Sequence, residues 1–216
     1  MLSIDLKRTA NTKLGIFMIW LFHISGVIGI YFGNQDWFIT KSPLNLTVSL
    51  LIFIWLFPLK TKKQWSLFAI FFFIGMFSEW LGVNYGILFG DYNYGRNLGP
   101  KFDGVPFLIG TYWALLTFIT AEVSKKIGFS KRLKIVVAAA LMVGLDFLME
   151  KNAPVFDFWE FKGAVPIDNY LAWFGIGLLL QTILHKARTK GNKAIAIHLY
   201  FAQLLFFAFF YLFPLH

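Results

Sequence analysis

The sequence predicts an all-α fold, a polytopic transmembrane helix bundle of about seven helices, on the strength of its composition, its long apolar runs and its charge distribution. Of 216 residues, 58% are hydrophobic and only 14% charged, more apolar surface than one soluble core can hide. Crossing a hydrocarbon core of roughly 30 Å takes about 20 helical residues. Runs of suitable length cover residues 14–32, 43–59, 65–89, 105–123, 133–149, 166–184 and 194–213. The net charge of +9 is confined to short clusters between these runs, which marks topology and not a nucleic-acid-binding face.

The first run follows Lys7, Arg8 and Lys13 but lacks a small-residue cleavage site, so it reads as a retained helix and not a signal peptide. The second is short and ends near Pro58, which also suits a tilted or partly interfacial helix. The third carries Glu79, followed by Gly82, Gly86 and Gly90 at four-residue spacing, a stripe along which a helix or a flat ligand can approach closely. The fourth and sixth open on Gly104-Val105-Pro106 and Ala164-Val165-Pro166, each followed at the same interval by a tryptophan, Trp113 and Trp173. Proline is a normal helix-start residue, so either duplicated hairpins or helix-start chemistry explains the echo. The fifth run carries Asp146, and the seventh has no interior lysine for a retinal Schiff base. No soluble domain fits between the runs, and residues 1–216 read as one integral membrane domain.

With seven spans the basic residues divide unevenly. Only Lys41, Arg96, Lys101, Lys151 and Lys162 fall opposite the N-terminal side; the remainder of the 20 lie on it. The positive-inside rule then places the N-terminus in the cytoplasm and the C-terminus outside the cell membrane. Acidic residues show the reverse bias, with only Asp5 and Glu122 on the cytoplasmic side. Two outer connections, 91–104 and 150–163, mix aromatic rings with charge, a composition suited to the headgroup region and to lids over the bundle mouth.

Glu79 lies at a depth of roughly 21 Å counted from Trp65, and Asp146 at roughly 20 Å from Leu133. Glu150 is one turn beyond Asp146 on the same face, about 6 Å nearer the outer surface. A carboxyl inside a bilayer is costly and normally faces a functional cavity, although Glu150 can equally be interfacial and exposed. Carboxyls withdrawn from water hold their protons and can act as acids, and two in proximity divide acid and base roles. The absence of cysteine removes thiolate chemistry, and His23, His185, His198 and His216 show no paired spacing, so no metal site is expected. His23 alone on an apolar helix reads as a hydrogen-bonded packing residue.

Residues 79–106, EWLGVNYGILFGDYNYGRNLGPKFDGVP, resemble the membrane-bound carotenoid 1,2-hydratases, the family of the γ-carotene and bisanhydrobacterioruberin hydratases. The resemblance rests on Glu79, Gly82, Tyr92, Tyr94, Pro106 and Trp113, and in a second block on Asp146, Glu150, Trp159, Pro166, Asn169 and Trp173. It implies addition of water to the terminal C1–C2 double bond of an acyclic carotenoid such as γ-carotene or lycopene, in contact with membrane lipids and without cofactor or nucleic acid. Such a reaction needs a shielded acid to protonate C2, a stabilised tertiary cation at C1 and a positioned water. Asp146, Glu79 and Glu150 are the catalytic candidates, and Tyr92, Tyr94, Trp113, Trp159, Asn169 and Trp173 the substrate-binding ones. A carotenoid cyclase, or a lipid-binding protein or transporter using the same cavity, are the rival readings.

Overall fold

The computed structural model describes residues 2–57, 59–128 and 130–215; Pro58 and His216 lie outside the described residues, as do the side chains of Lys7 and Arg8. Apolar runs become helices whose ends are set by local capping. A capping box between Thr61 and Gln64 starts the helix carrying Glu79, and Gly86, left-handed at φ 65°, ends it. That helix therefore covers Lys62–Tyr85, three residues earlier at its start than the apolar run and stopping short of residue 89. Gly86 and Gly90 (φ 98°) are turn residues beyond it, so the expected small-residue stripe reduces to Gly82.

In chain order the helices are α1 (Leu2–Phe32), α2 (Gln35–Ile39), α3 (Ser42–Leu56), α4 (Lys62–Tyr85), α5 (Phe107–Ser124), α6 (Lys131–Asn152), α7 (Ile167–Ala187) and α8 (Lys193–Leu212). Among the described residues six stretches are long and apolar enough to cross a membrane, and α2 with α3 together form one of them, Gln35–Leu56. This explains why the second run looked short: its first turns are set apart by the break at Thr40 and Lys41. The seventh long helix, α6, is less apolar because it bears Lys131, Arg132 and Lys134 at one end and Asp146, Glu150 and Lys151 towards the other. Ser130 caps α6, Asn192 caps α8, and Pro106 and Pro166 are the N-caps of α5 and α7.

The bundle is centred on α5, which packs against α4, α6, α7 and α8, while α1, α2, α3 and α8 form the other flank. Among the described residues α4 and α7 make no extended contact. Large apolar side chains cover the outside, with Phe32 77%, Phe73 67% and Ile167 69% exposed, a surface of the kind that faces a membrane or a partner. His23 hydrogen-bonds the carbonyl of Ile19 at 2.7 Å and meets Phe206 edge-on, as a packing histidine does.

One end of the bundle carries the lysine clusters and the other the long loops. Towards the basic end Phe53, Phe57, Phe71 and Phe118 are fully buried. The first two stack at 4.6 Å, and Phe118 contacts Phe57 at 5.8 Å and Phe71 at 5.6 Å. Beside them the Gln181 amide donates to Thr117 O and Thr120 Oγ1, both at 2.9 Å.

The loop end contains what the apolar runs did not predict, two small antiparallel ladders. β1 (Tyr92–Tyr94) pairs with β4 (Trp159–Phe161), with Asn93 opposite Glu160, and β2 (Lys101–Phe102) pairs with β3 (Val105–Pro106). The Asn97 amide ties these loops to Ile39 O at 2.7 Å and Phe156 O at 2.9 Å. Both aromatic loops thus fold back over the mouth of α4–α7.

Candidate active site

Glu79 projects from the last turns of α4 and is 3% exposed. Its Oε2 accepts from Tyr92 Oη at 2.5 Å and from Tyr94 Oη at 2.7 Å, and its Oε1 from Trp113 Nε1 at 2.8 Å. An indole N–H can only donate, so Oε1 is an acceptor here. Burial and the adjoining Glu79 carboxyl raise the Tyr92 and Tyr94 phenols well above the ordinary tyrosine value, so both remain protonated donors.

Two glycines make this approach possible. A Cβ on Gly82 would lie 2.7 Å from Tyr92 Oη, and one on Gly75 only 2.5 Å from Trp113 Cγ. Trp113 in turn stacks on Trp173 of α7, centroid to centroid 3.7 Å with planes 13° apart.

Across the cavity, α6 presents Asp146 and, one turn on, Glu150. Glu150 is 6% exposed, so the alternative of a solvent-facing interfacial carboxylate is corrected. It lies at the helix end under the α7 start, where the Asn169 amide donates to Oε2 at 2.6 Å and Tyr170 Oη to Oε1 at 2.9 Å. Asp146 is also buried, and its Oδ2 has no hydrogen-bond partner among the described residues. Asp146 lines the same cavity as Glu150 and Glu79.

One cavity of about 40 Å³ collects these groups, room for about three waters. All nine residues singled out from the sequence line it: Asp146, Glu79, Glu150, Tyr92, Tyr94, Trp113, Trp159, Asn169 and Trp173. Tyr112, Met149 and Phe161 line it as well, with Phe89, Ile109 and Leu116, and Tyr170 holds Glu150; none of these was a site candidate from the sequence. Tyr170 follows Asn169 directly, and only the helical position it shares with the end of α6 reveals its role. Arg96 and Lys101 do not line the cavity: the Arg96 backbone N–H bonds Asp157 and the Lys101 ammonium bonds Tyr94 O.

A family described as carotenoid biosynthesis protein matches residues 42–214. The chain belongs to that family. No curated protein and no solved structure matches. The matched stretch of this carotenoid biosynthesis protein runs from α3 through α8 and includes every residue of the cavity.

Proposed function

We propose that this carotenoid biosynthesis protein adds water to the terminal C1–C2 double bond of an acyclic carotenoid end group, giving a tertiary alcohol. The observation that carries this reading is the convergence of three buried carboxyls on one small cavity walled by aromatic rings. Asp146 and Glu79 form the acid–base pair and Glu150, fixed by Asn169 and Tyr170, assists at the mouth. Protonation of C2 places positive charge at C1, which ring faces such as those of Trp113, Trp173, Tyr92 and Tyr94 stabilise through their quadrupoles. Water completes the addition, and Trp159 in β4 helps cover it from the loop side. The cavity accommodates water but less than an isoprenoid end group needs, so substrate entry displaces lining rings. Trp173 on α7 is half-buried, and a long polyene entering from lipid would reach the cavity along that ring.

Expression in a host that accumulates lycopene and γ-carotene, followed by mass analysis of its pigments, tests this directly. Gain of one water per end group is expected. An isomer of unchanged mass would establish cyclisation instead, and unaltered pigments would favour binding or transport. Labelling discriminates further: the hydroxyl oxygen is expected to come from labelled water and to form under strict anaerobiosis, whereas label from oxygen gas would overturn hydration.

In this reading the basic end faces the cytoplasm. A reporter active only in the cytoplasm, fused after Pro214, is expected to be silent; strong activity would refute the orientation.

A further inference from the structure

The echo between the two Val-Pro…Trp segments extends through the whole site. Moving along the chain by 67 positions, from 79 to 146 and from 93 to 160, carries Glu79 onto Asp146 and the centre of β1 onto the centre of β4, its own ladder partner. The same shift superimposes the buried faces of α4 and α6: Phe71, Gly75, Ser78, Glu79 and Gly82 fall on Ala138, Met142, Leu145, Asp146 and Met149, all buried. After the strands the shift falls to 60 positions, from 106 to 166 and from 113 to 173, because the β2–β3 hairpin occurs only in the first half. Pro106 and Pro166 then cap equivalent helices, and the equivalent tryptophans are the pair stacked at 3.7 Å. An antiparallel ladder of equivalent strands and a parallel stack of equivalent rings are what a two-fold axis between α4–α5 and α6–α7 produces. Since α4 and α6 both run from the basic end to the loop end, that axis lies along the bundle.

The two halves differ where the chemistry is. The first half has phenols at 92 and 94, and both hold Glu79; the equivalent positions in the second half are Trp159 and Phe161, which have no hydroxyl. Glu79 accordingly accepts three hydrogen bonds, while among the described residues Asp146 Oδ2 has no hydrogen-bond partner. A carboxylate offers about four lone-pair sites, so Glu79 keeps one acceptor position, on Oε1.

We infer that the cavity is formed by two copies of one helical hairpin whose equivalent carboxyls have diverged, Asp146 becoming the proton donor and Glu79 the clamped proton acceptor. This rests on the hydration reading and assigns its steps. The Asp146 O–H bond breaks and a C2–H bond forms with the alkene electron pair, leaving the cation at C1. Water oxygen then bonds C1, its surplus proton goes to Glu79, and that proton returns through cavity water to Asp146, so that the sum is alkene plus water giving alcohol.

The experiment separates the two steps in heavy water, using the full-length chain in membranes supplied with an acyclic carotenoid. Wild type is expected to give alcohol with deuterium at C2. Glu79→Gln still makes the cation but lacks the acceptor for water's proton, so the cation discharges by returning a methyl proton to Asp146. Alcohol is expected to fall at least about 100-fold while hydrocarbon of unchanged formula gains deuterium. Asp146→Asn is expected to show neither alcohol nor deuterated hydrocarbon. A paired Tyr92→Phe, Tyr94→Phe variant keeps the carboxyl, removes two of its donors, and is expected to lean the same way as Glu79→Gln. Deuterium in hydrocarbon from Asp146→Asn overturns the assignment, as does its absence from both Glu79→Gln and the phenol pair. Failure of wild type to form any alcohol would instead strike the hydration reading itself.

Discussion

Asp146→Asn is expected to abolish alcohol formation while the protein still inserts and extracts from membranes as wild type does. The substitution preserves the shape of a side chain packed in the centre of the α6 buried face and removes only the transferable proton. A general acid typically contributes on the order of 100-fold to 10,000-fold in rate, so pigment analysis of a producing host resolves the effect easily. Retention of more than about a tenth of wild-type product by both Asp146→Asn and Glu79→Gln would show that the acid lies elsewhere, with Asp91, Asp157 and Asp168 of the loop end the next groups to test.

A second large effect is expected from Gly75→Val, although residue 75 touches no substrate. Its Cβ would lie 2.5 Å from Trp113 Cγ and 2.6 Å from Trp113 Cβ, the root of a ring that cannot turn aside at its tip. Trp113 must move, and with it go the 2.8 Å hydrogen bond to Glu79 and the stack on Trp173. Overpacking of this kind costs about 1–3 kcal/mol of stability, read as a lower unfolding temperature in detergent. Loss of one donor to a buried reacting carboxylate lowers rate by on the order of 100-fold, read as product. Gly175→Ala is the control, since a Cβ there meets nothing within 4 Å, and it is expected to leave both measurements unchanged. Equal behaviour of the two variants would mean that Trp113 positioning does not matter.

Helix placement was legible in the sequence because apolar length is a one-dimensional property, and the rise of a helix per residue then gives the depth of Glu79 and Asp146 with no knowledge of packing. What a helix faces is different information. Whether Glu150 points to water or to α7 depends on where Asn169 and Tyr170 begin the next helix, and that is fixed by the turn through β4. The pairing of β1 with β4 was illegible for a related reason: three residues on each side leave no periodicity to read, and their partners are distant in the chain. The glycines were misread as one stripe because four-residue spacing assumes a continuing helix, whereas Gly86 itself ends α4. The role of Tyr170 lay in a tertiary contact from α7 to α6 that neither apolar runs nor motif blocks encode.

The phenylalanine cluster of α3, α4 and α5 bears on bioenergetics. Side chains that gain and lose protons inside an energised membrane threaten it with a leak if water reaches them from both faces. Here Phe53, Phe57, Phe71 and Phe118 fill the bundle on the basic side of Glu79, and beside them Gln181 gives its amide protons to Thr117 O and Thr120 Oγ1. The proton circuit proposed between Asp146 and Glu79 would on this packing be closed at the basic end and local to the cavity. Proton transfer of the proposed kind would then open no path from one face of a membrane to the other.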